Sequence, residues 1–195
     1  MGVLRWFLGP PATASGRGER SRLTRAAGPT PAWPLARGPA DVASLLCAAL
    51  RPLLMQSAAR GIALLIWPAS DFPREVRVDA LKLTWAVSAL VGNALRFTRP
   101  GTRLRPGGTI RVRMAWQPES REAVFSVSDD ADGIPPDRME GLLSRDTTPG
   151  VVPSLALLLV EDIVHAHGGT FEVESVHGGP ESGTTVSLRI PCPEG

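Results

Sequence analysis

Tyrosine is absent from this 195-residue sequence, and lysine occurs once, at Lys82, so all but one of the 21 basic residues are arginine. That skew reads as codon bias rather than chemistry. The formal net charge is only +2, which gives no electrostatic argument for a nucleic-acid partner. Cysteine is nearly as scarce. Cys47 and Cys192 are too few for a disulfide framework, and no histidine cluster accompanies them as in a zinc site. They read as reduced thiols of a cytoplasmic protein. Long apolar runs are missing too. The longest candidate, Val151 to Val160, contains Pro153 and Ser154 and ends at Glu161-Asp162. It falls short of the roughly 20 residues that span a bilayer, so no membrane sensor is expected in this chain. What is plentiful is core-forming residues: 43% of the sequence is hydrophobic, enough to build one globular domain.

Residues 1–40 are rich in Pro, Gly, Ala and Arg and show no helical or strand periodicity, so they read as a disordered leader before a domain over 41–195. Asp41 is placed to cap a helix running to about Ala59, with Pro52 predicting a kink inside it or a late start. Strands are expected at Ile62–Trp67 and Glu75–Val78. Asp79 then caps a long helix to Phe97, whose apolar residues Leu83, Ala86, Val87, Leu90, Val91 and Ala94 recur at helical spacing. Thr109–Trp116 and Ala123–Ser128 alternate apolar with polar and read as a hairpin. A short helix is expected over 135–143 and another over 154–166, stopped by Gly168-Gly169. Thr170–Ser175 and Thr184–Ile190 close the chain as strands. Strands and helices mix without a repeating βαβ unit. That order predicts an α+β two-layer sandwich, with a mixed, largely antiparallel sheet and helices on one face.

Four segments carry the chemistry. They are Asn93-Ala94-Leu95-Arg96-Phe97-Thr98 at the end of the long helix, Asp129-Asp130-Ala131-Asp132-Gly133-Ile134-Pro135 after a strand, His165-Ala166-His167-Gly168-Gly169 closing a helix, and Ser182-Gly183-Thr184-Thr185 opening the last strand. In this order and at this spacing the chain from about Asp41 to Pro191 resembles the GHKL superfamily, and within it the ATPase domain of bacterial sensor histidine kinases. The resemblance implies a Bergerat-type ATP-binding fold with ATP and Mg²⁺ as cofactors. It implies that Asn93 ligates Mg²⁺, that Asp129 reads the adenine amine, that Gly133 and Ile134 lie against the nucleotide, and that Thr185 supports the adenine side. Arg96 would meet phosphate, and Ser154 and Leu155 would open the helix beside it. Without the resemblance the same residues are a helix-end asparagine, a turn aspartate, a strand threonine and a solvated helix charge.

The sequence also departs from the family. Ala131 replaces a glycine in the Asp129 box. In the run before the last helix, Val152, Ser154 and Ala156 stand where sensor kinases carry glycines, and Pro153 removes a further N–H. Ala89 replaces a second asparagine. No phosphoaccepting histidine on a helical hairpin precedes the domain, since His165, His167 and His177 all come late. Three functions fit. The first is a histidine-kinase catalytic domain that phosphorylates a histidine in trans, on a dimerisation domain or another kinase, with a response regulator downstream. The second is a pseudo-kinase module, impaired in ATP binding, that docks such a regulator or kinase. The third, ranked lower, is an anti-sigma-type serine kinase.

Overall fold

The computed structural model describes residues 18–27, 34–144 and 154–192. Its centre is a six-stranded sheet. The strands are β1 (Glu19–Ala26), β3 (Ala63–Pro68), β5 (Thr109–Gln117), β6 (Glu122–Asp129), β7 (Thr170–His177) and β8 (Gly183–Pro191), in the spatial order β1-β7-β8-β6-β5-β3. Only β3 and β5 run parallel; every other neighbouring pair is antiparallel. The remaining strands, β2 (Gly38–Ala40) and β4 (Val76–Val78), form a small separate ladder. Helices α1 (Val42–Ala49), α2 (Arg51–Ala59), α3 (Ala80–Phe97) and α5 (Leu155–Ala166) provide the second layer. The short α4 (Pro136–Met139) continues into a 3-10 turn over Glu140–Leu143. The expected two-layer α+β sandwich is the fold observed.

Strand alternation explains which face is covered. Ile110, Val112 and Met114 of β5, Phe125 and Val127 of β6, and Leu188 and Ile190 of β8 are all buried and all point to one side. Against them lies the stripe of α3 from Leu83 to Leu95, with Leu157, Val160 and Val164 of α5 beside it. The single helix expected over 41–59 is two helices meeting at Leu50 at an angle of 40°. Pro52 falls in the first turn of α2, where its missing N–H removes no helical hydrogen bond. Among the described residues no single helix is long and apolar enough to cross a membrane.

The leader expected over 1–40 is corrected at two places. Residues 19–26 pair along their whole length with β7, and 38–40 pair with β4. Composition hides β1 because ERSRLTRA contains a single large apolar residue, Leu23. The strand is held by the β7 edge and by charge. Arg22 pairs with the carboxylate of Glu172, and Arg25 Nε lies 3.6 Å from that of Glu161. Both acids are almost fully buried. A buried carboxylate is costly unless a cation or hydrogen bonds meet it, so these arginines seat β1 where hydrophobicity alone would not. The rest of the leader, 1–17 and 28–33, lies outside the described residues, as does most of the loop expected before α5, including Val152 and Pro153.

The helix layer is pinned at its polar ends. Asp79 caps α3, accepting from the backbone N–H of Lys82 at 3.1 Å, from Lys82 Nζ at 2.7 Å and from the backbone N–H of Ala36 at 3.0 Å. Burial pushes this carboxyl up, but those hydrogen bonds outweigh it and bring its pKa down to about 2. The backbone N–H of Asp79 in turn donates to Nε2 of His167 at 3.1 Å, while Nδ1 of His167 donates to the carbonyl of Ile163 at 2.7 Å. The buried imidazole therefore joins the end of α5 to the start of α3. Burial lowers its pKa, in keeping with a neutral ring that accepts at Nε2.

Candidate functional site

Asp129 is the last residue of β6, and the register places it in a polar row on the helix-covered face. Asp129 sits opposite Thr184 of β8, Thr184 opposite Ser175 of β7, and Ser175 opposite Ser21 of β1. Asp129 Oδ1 accepts the backbone N–H of Ala131 at 3.0 Å. Burial raises the Asp129 pKa to about 6, against the pull of the backbone N–H groups of Ala131 and Thr184; the neighbouring charge of Asp130 adds to the rise. At neutral pH the group is still a carboxylate: a half-buried acceptor at the mouth of the sheet.

The loop after Asp129 folds back over β7. Ile134 N–H donates to Ser175 Oγ at 2.8 Å, and Gly178 N–H donates to the carbonyl of Asp132 at 3.2 Å. Gly133 makes this possible. Its φ is 74°, and a Cβ there would lie 2.0 Å from the carbonyl oxygen of Val176. No other residue type fits. Gly183 is packed as closely, since a Cβ on it would meet the Asp129 carbonyl oxygen at 2.2 Å. Ala131, by contrast, has no positive φ, so the alanine in the box carries no backbone penalty. Asp130 serves the scaffold: its Oδ1 accepts the N–H of Thr109 at 2.8 Å.

The end of α3 approaches this loop from the other layer. Gly108 lies in contact distance of both Asp130 and Thr98, the residue that follows α3. Asn93 is one turn back from the end of the helix and half-buried, and its side-chain amide makes no hydrogen bond among the described residues. Arg96 is exposed, and its guanidinium lies 5.5 Å from the ring centre of Phe97. At the start of α5, Ser154 is the N-cap: it receives the N–H of Leu157 on Oγ at 3.5 Å and gives its own N–H to the carbonyl of Leu142. With φ at −83°, Ser154 needs no glycine. Leu155 follows, 73% exposed.

The structure thus brings Asp129, Gly133 and Ile134 together on one loop, with Thr98 at the end of α3 beside Asp130; Asn93 and Arg96 lie further back on that helix. Thr185 is different. It pairs across from Ser128 and Glu174, so it points to the helix-free face, away from the Asp129 row. It nevertheless lines the same hollow of about 480 Å³ at the rim of the sheet as Asp129, Thr184 and Ser175, together with Arg22 and Glu174. The threonine that shares a face with Asp129 is Thr184. Sequence reasoning missed Thr184 and Ser175. Period-two alternation identifies them, but only once the β6–β8–β7 register is known.

All three histidines face backbone carbonyl groups, His165 that of Arg25, His167 that of Ile163 and His177 that of Asp132. Among the described residues no group of three His, Cys, Asp or Glu residues is placed to hold a metal ion.

Comparison with known proteins gives the family and the fold. Over 128 residues the chain is 33% identical to the methanogenesis regulatory histidine kinase FilI of Methanothrix harundinacea, covering 64% of this chain and 13% of FilI. Over 125 residues it is 34% identical to the signal transduction histidine-protein kinase/phosphatase MprB of Mycolicibacterium vanbaalenii, covering 61% of this chain and 24% of that protein. The chain therefore corresponds to a small part of those relatives. Among solved structures, the fold is similar to full-length ShkA in complex with AMPPNP, with a TM-score of 0.67 at 22% identity over 85% of this chain and 33% of ShkA. It is also similar to the catalytic domain of the histidine kinase ThkA, at 0.64 and 19% identity over 81% of this chain and 97% of that domain. Residues 78–194, more than half of the chain, match the family of histidine kinase-, DNA gyrase B- and HSP90-like ATPases, and the chain belongs to that family.

Proposed function

We propose that this chain is the ATP-binding catalytic module of a histidine kinase, and that it transfers phosphate in trans to a histidine on a separate dimerisation domain or kinase, with a response regulator as the next acceptor. The observation that carries the reading is the half-buried carboxylate of Asp129, set at the end of β6 beside the loop that Gly133 folds against β7. A base with an exocyclic amine gives such a carboxylate its hydrogen-bond donor. Gly133 and Ile134 lie along the same side. The module we propose begins at β1 rather than at Asp41, because β1 supplies cations to two buried acids.

The residues present fit Mg-ATP. Asn93 offers a side-chain oxygen not committed elsewhere in the described structure, the kind of hard ligand Mg²⁺ takes. When bound, Mg²⁺ neutralises charge on the phosphates and orients them. The N-terminal end of α5 adds the positive end of a helix dipole, and Arg96 adds a guanidinium within one turn of Asn93. Catalysis by such a module is positioning and charge neutralisation rather than covalent chemistry. Thr184, not Thr185, takes the adenine-side role in this account. The cytoplasm, which supplies ATP and keeps Cys47 and Cys192 as thiols, is the compartment the reading requires.

A second reading has an observation of its own. Val152, Ser154 and Ala156 replace the run of glycines that shapes the phosphate cradle in sensor kinases, which favours a docking module with weak ATP affinity. One experiment separates the two. The chain is incubated with Mg-ATP and a histidine-bearing dimerisation domain, and acid-labile, base-stable phosphate is sought on that domain. Its appearance, and its loss in Asp129→Asn, supports the kinase. Phosphate on neither partner, with a folded chain, leaves the docking module.

A further inference from the structure

β3 ends the six-stranded sheet, and among the described residues no strand pairs with its outer edge. Which backbone groups that edge offers follows from the ladder on its inner side. In a parallel pair, alternate residues bond the neighbouring strand. The N–H groups of Ala63 and Ala69 donate to the carbonyls of Gly108 and Met114, at 3.0 and 2.7 Å, so Ala63, Leu65 and Trp67 aim inward at β5. Leu64 and Ile66 therefore aim outward. The next outward residues have no N–H to offer: that of Ile62 donates to the carbonyl of Ser57 at 2.9 Å, and Pro68 has none. The edge thus holds two donors, with Leu65 between them. No charge protects it, since Gly61-Ile62-Ala63-Leu64-Leu65-Ile66-Trp67-Pro68-Ala69-Ser70 contains no ionisable side chain. On the helix-free side Leu65 is 46% and Trp67 39% exposed. On the helix side a hollow of about 470 Å³ opens beside the strand, bounded by Cys47 and Leu54.

We propose that this edge is the interface of a two-fold dimer of the chain, in which β3 pairs antiparallel with β3 of a second copy about an axis through Leu65. Such a contact must present one surface to itself. Turning the strand about Leu65 places Leu64 of each copy opposite Ile66 of the other, so every outward N–H and C=O of these residues is paired, in four hydrogen bonds. The same turn sets Trp67 of each copy opposite Ala63 of the other, a large exposed side chain against a small one. It sets Pro68 opposite Ile62, where neither has an N–H left to pair. Charge agrees. The first ionisable residue before the uncharged segment is Arg60 and the first after it is Asp71, so antiparallel pairing brings the basic end of one edge to the acidic end of the other. The hollow beside the strand leaves room for the Leu64 and Ile66 side chains of the second copy on the helix side. The dimer goes beyond the nucleotide reading and does not depend on it.

The test is sedimentation velocity of the full chain at concentrations up to about 100 µM, with circular dichroism on every variant. The mass is expected to move from one chain to two as concentration rises. Leu65→Lys sets two ammonium groups opposite each other at the axis, in a pair whose Cα atoms stand about 4.5 Å apart, and should leave a monomer. Leu65→Glu should do the same. Mixed in equal amounts, the two variants should re-form a dimer containing one chain of each, because unlike charges then meet across the axis. A contact elsewhere on the molecule would not follow this pattern. Hydrogen exchange on the unaltered chain gives a readout that needs no variant and decides the matter if Leu65→Lys does not fold: the Leu64 and Ile66 amides should exchange more slowly as concentration rises. A chain that stays monomeric, a Leu65→Lys chain that still dimerises, or a mixture that stays monomeric would each overturn the proposal. So would protection of the Leu64 and Ile66 amides that does not change with concentration, which would put a segment of the same chain on the edge.

Discussion

At the residue scale, protonation states connect structure to behaviour. In the proposed role Asp129 would read a base amine only as a carboxylate, and burial lifts its pKa to about 6. Affinity for an ATP analogue should therefore rise as pH climbs through about 6 and level off above it, in titrations from pH 5 to 8. Asp129→Asn should give weak, pH-independent binding. The same shift acts on folding with the opposite sign to an ordinary surface acid. Because the folded state holds the proton more tightly, the Asp129 contribution to stability is full below the ordinary value of 3.8 and is lost as pH rises through about 6. His167 works the other way. Its pKa lies below the ordinary 6.5, so its contribution is present above 6.5 and lost as pH falls below that value. Replacing it should be costly. His167→Ala leaves the Asp79 N–H without its acceptor and opens a void between α3 and α5, for an expected loss of about 2–4 kcal/mol in denaturant unfolding. Gly133→Ala combines a positive φ with a carbonyl contact of 2.0 Å, so it should abolish nucleotide binding and lower the melting temperature together.

At the scale of elements, β1 is the part whose role is tested most simply. Removing residues 1–27 takes Arg22 from Glu172 and Arg25 from Glu161 and bares the edge of β7. Arg22 and Arg25 are themselves partly exposed, and Glu172 keeps Arg189 at 3.8 Å, so the full cost of an orphaned buried charge is not expected. A loss of about 2 kcal/mol, with faster hydrogen exchange along β7, is the predicted outcome. An unchanged exchange pattern on β7 would show that β1 does not occupy that edge in solution. The same strand shows where sequence stopped being informative. Elements with apolar periodicity, such as α3 with its Leu83-to-Leu95 stripe and β5 with Ile110, Val112 and Met114, were legible because hydrophobic burial forms them. β1 was not legible, because long-range ion pairs hold it and periodicity carries no trace of those. The α1–α2 break was half legible: Pro52 announced it, while its place at Leu50 depended on which turn lacked the N–H.

At the scale of the whole molecule, the site is assembled by register. Asp129 stands in its recognised motif and could be found from sequence. Its neighbours on the face come from β8, β7 and β1, separated from it by 46 residues or more along the chain, and only sheet pairing reveals that Thr184 rather than Thr185 turns toward it. The helical layer approaches the same loop through Thr98, the residue that follows α3. The central claim is that these two layers meet around Mg-ATP, and the most direct measurement is calorimetric titration of the full chain with a non-hydrolysable ATP analogue, with and without Mg²⁺, beside Asp129→Asn. Micromolar, Mg²⁺-strengthened binding that Asp129→Asn abolishes is the expected result. No heat of binding up to millimolar analogue, from a chain that circular dichroism shows to be folded, would contradict it.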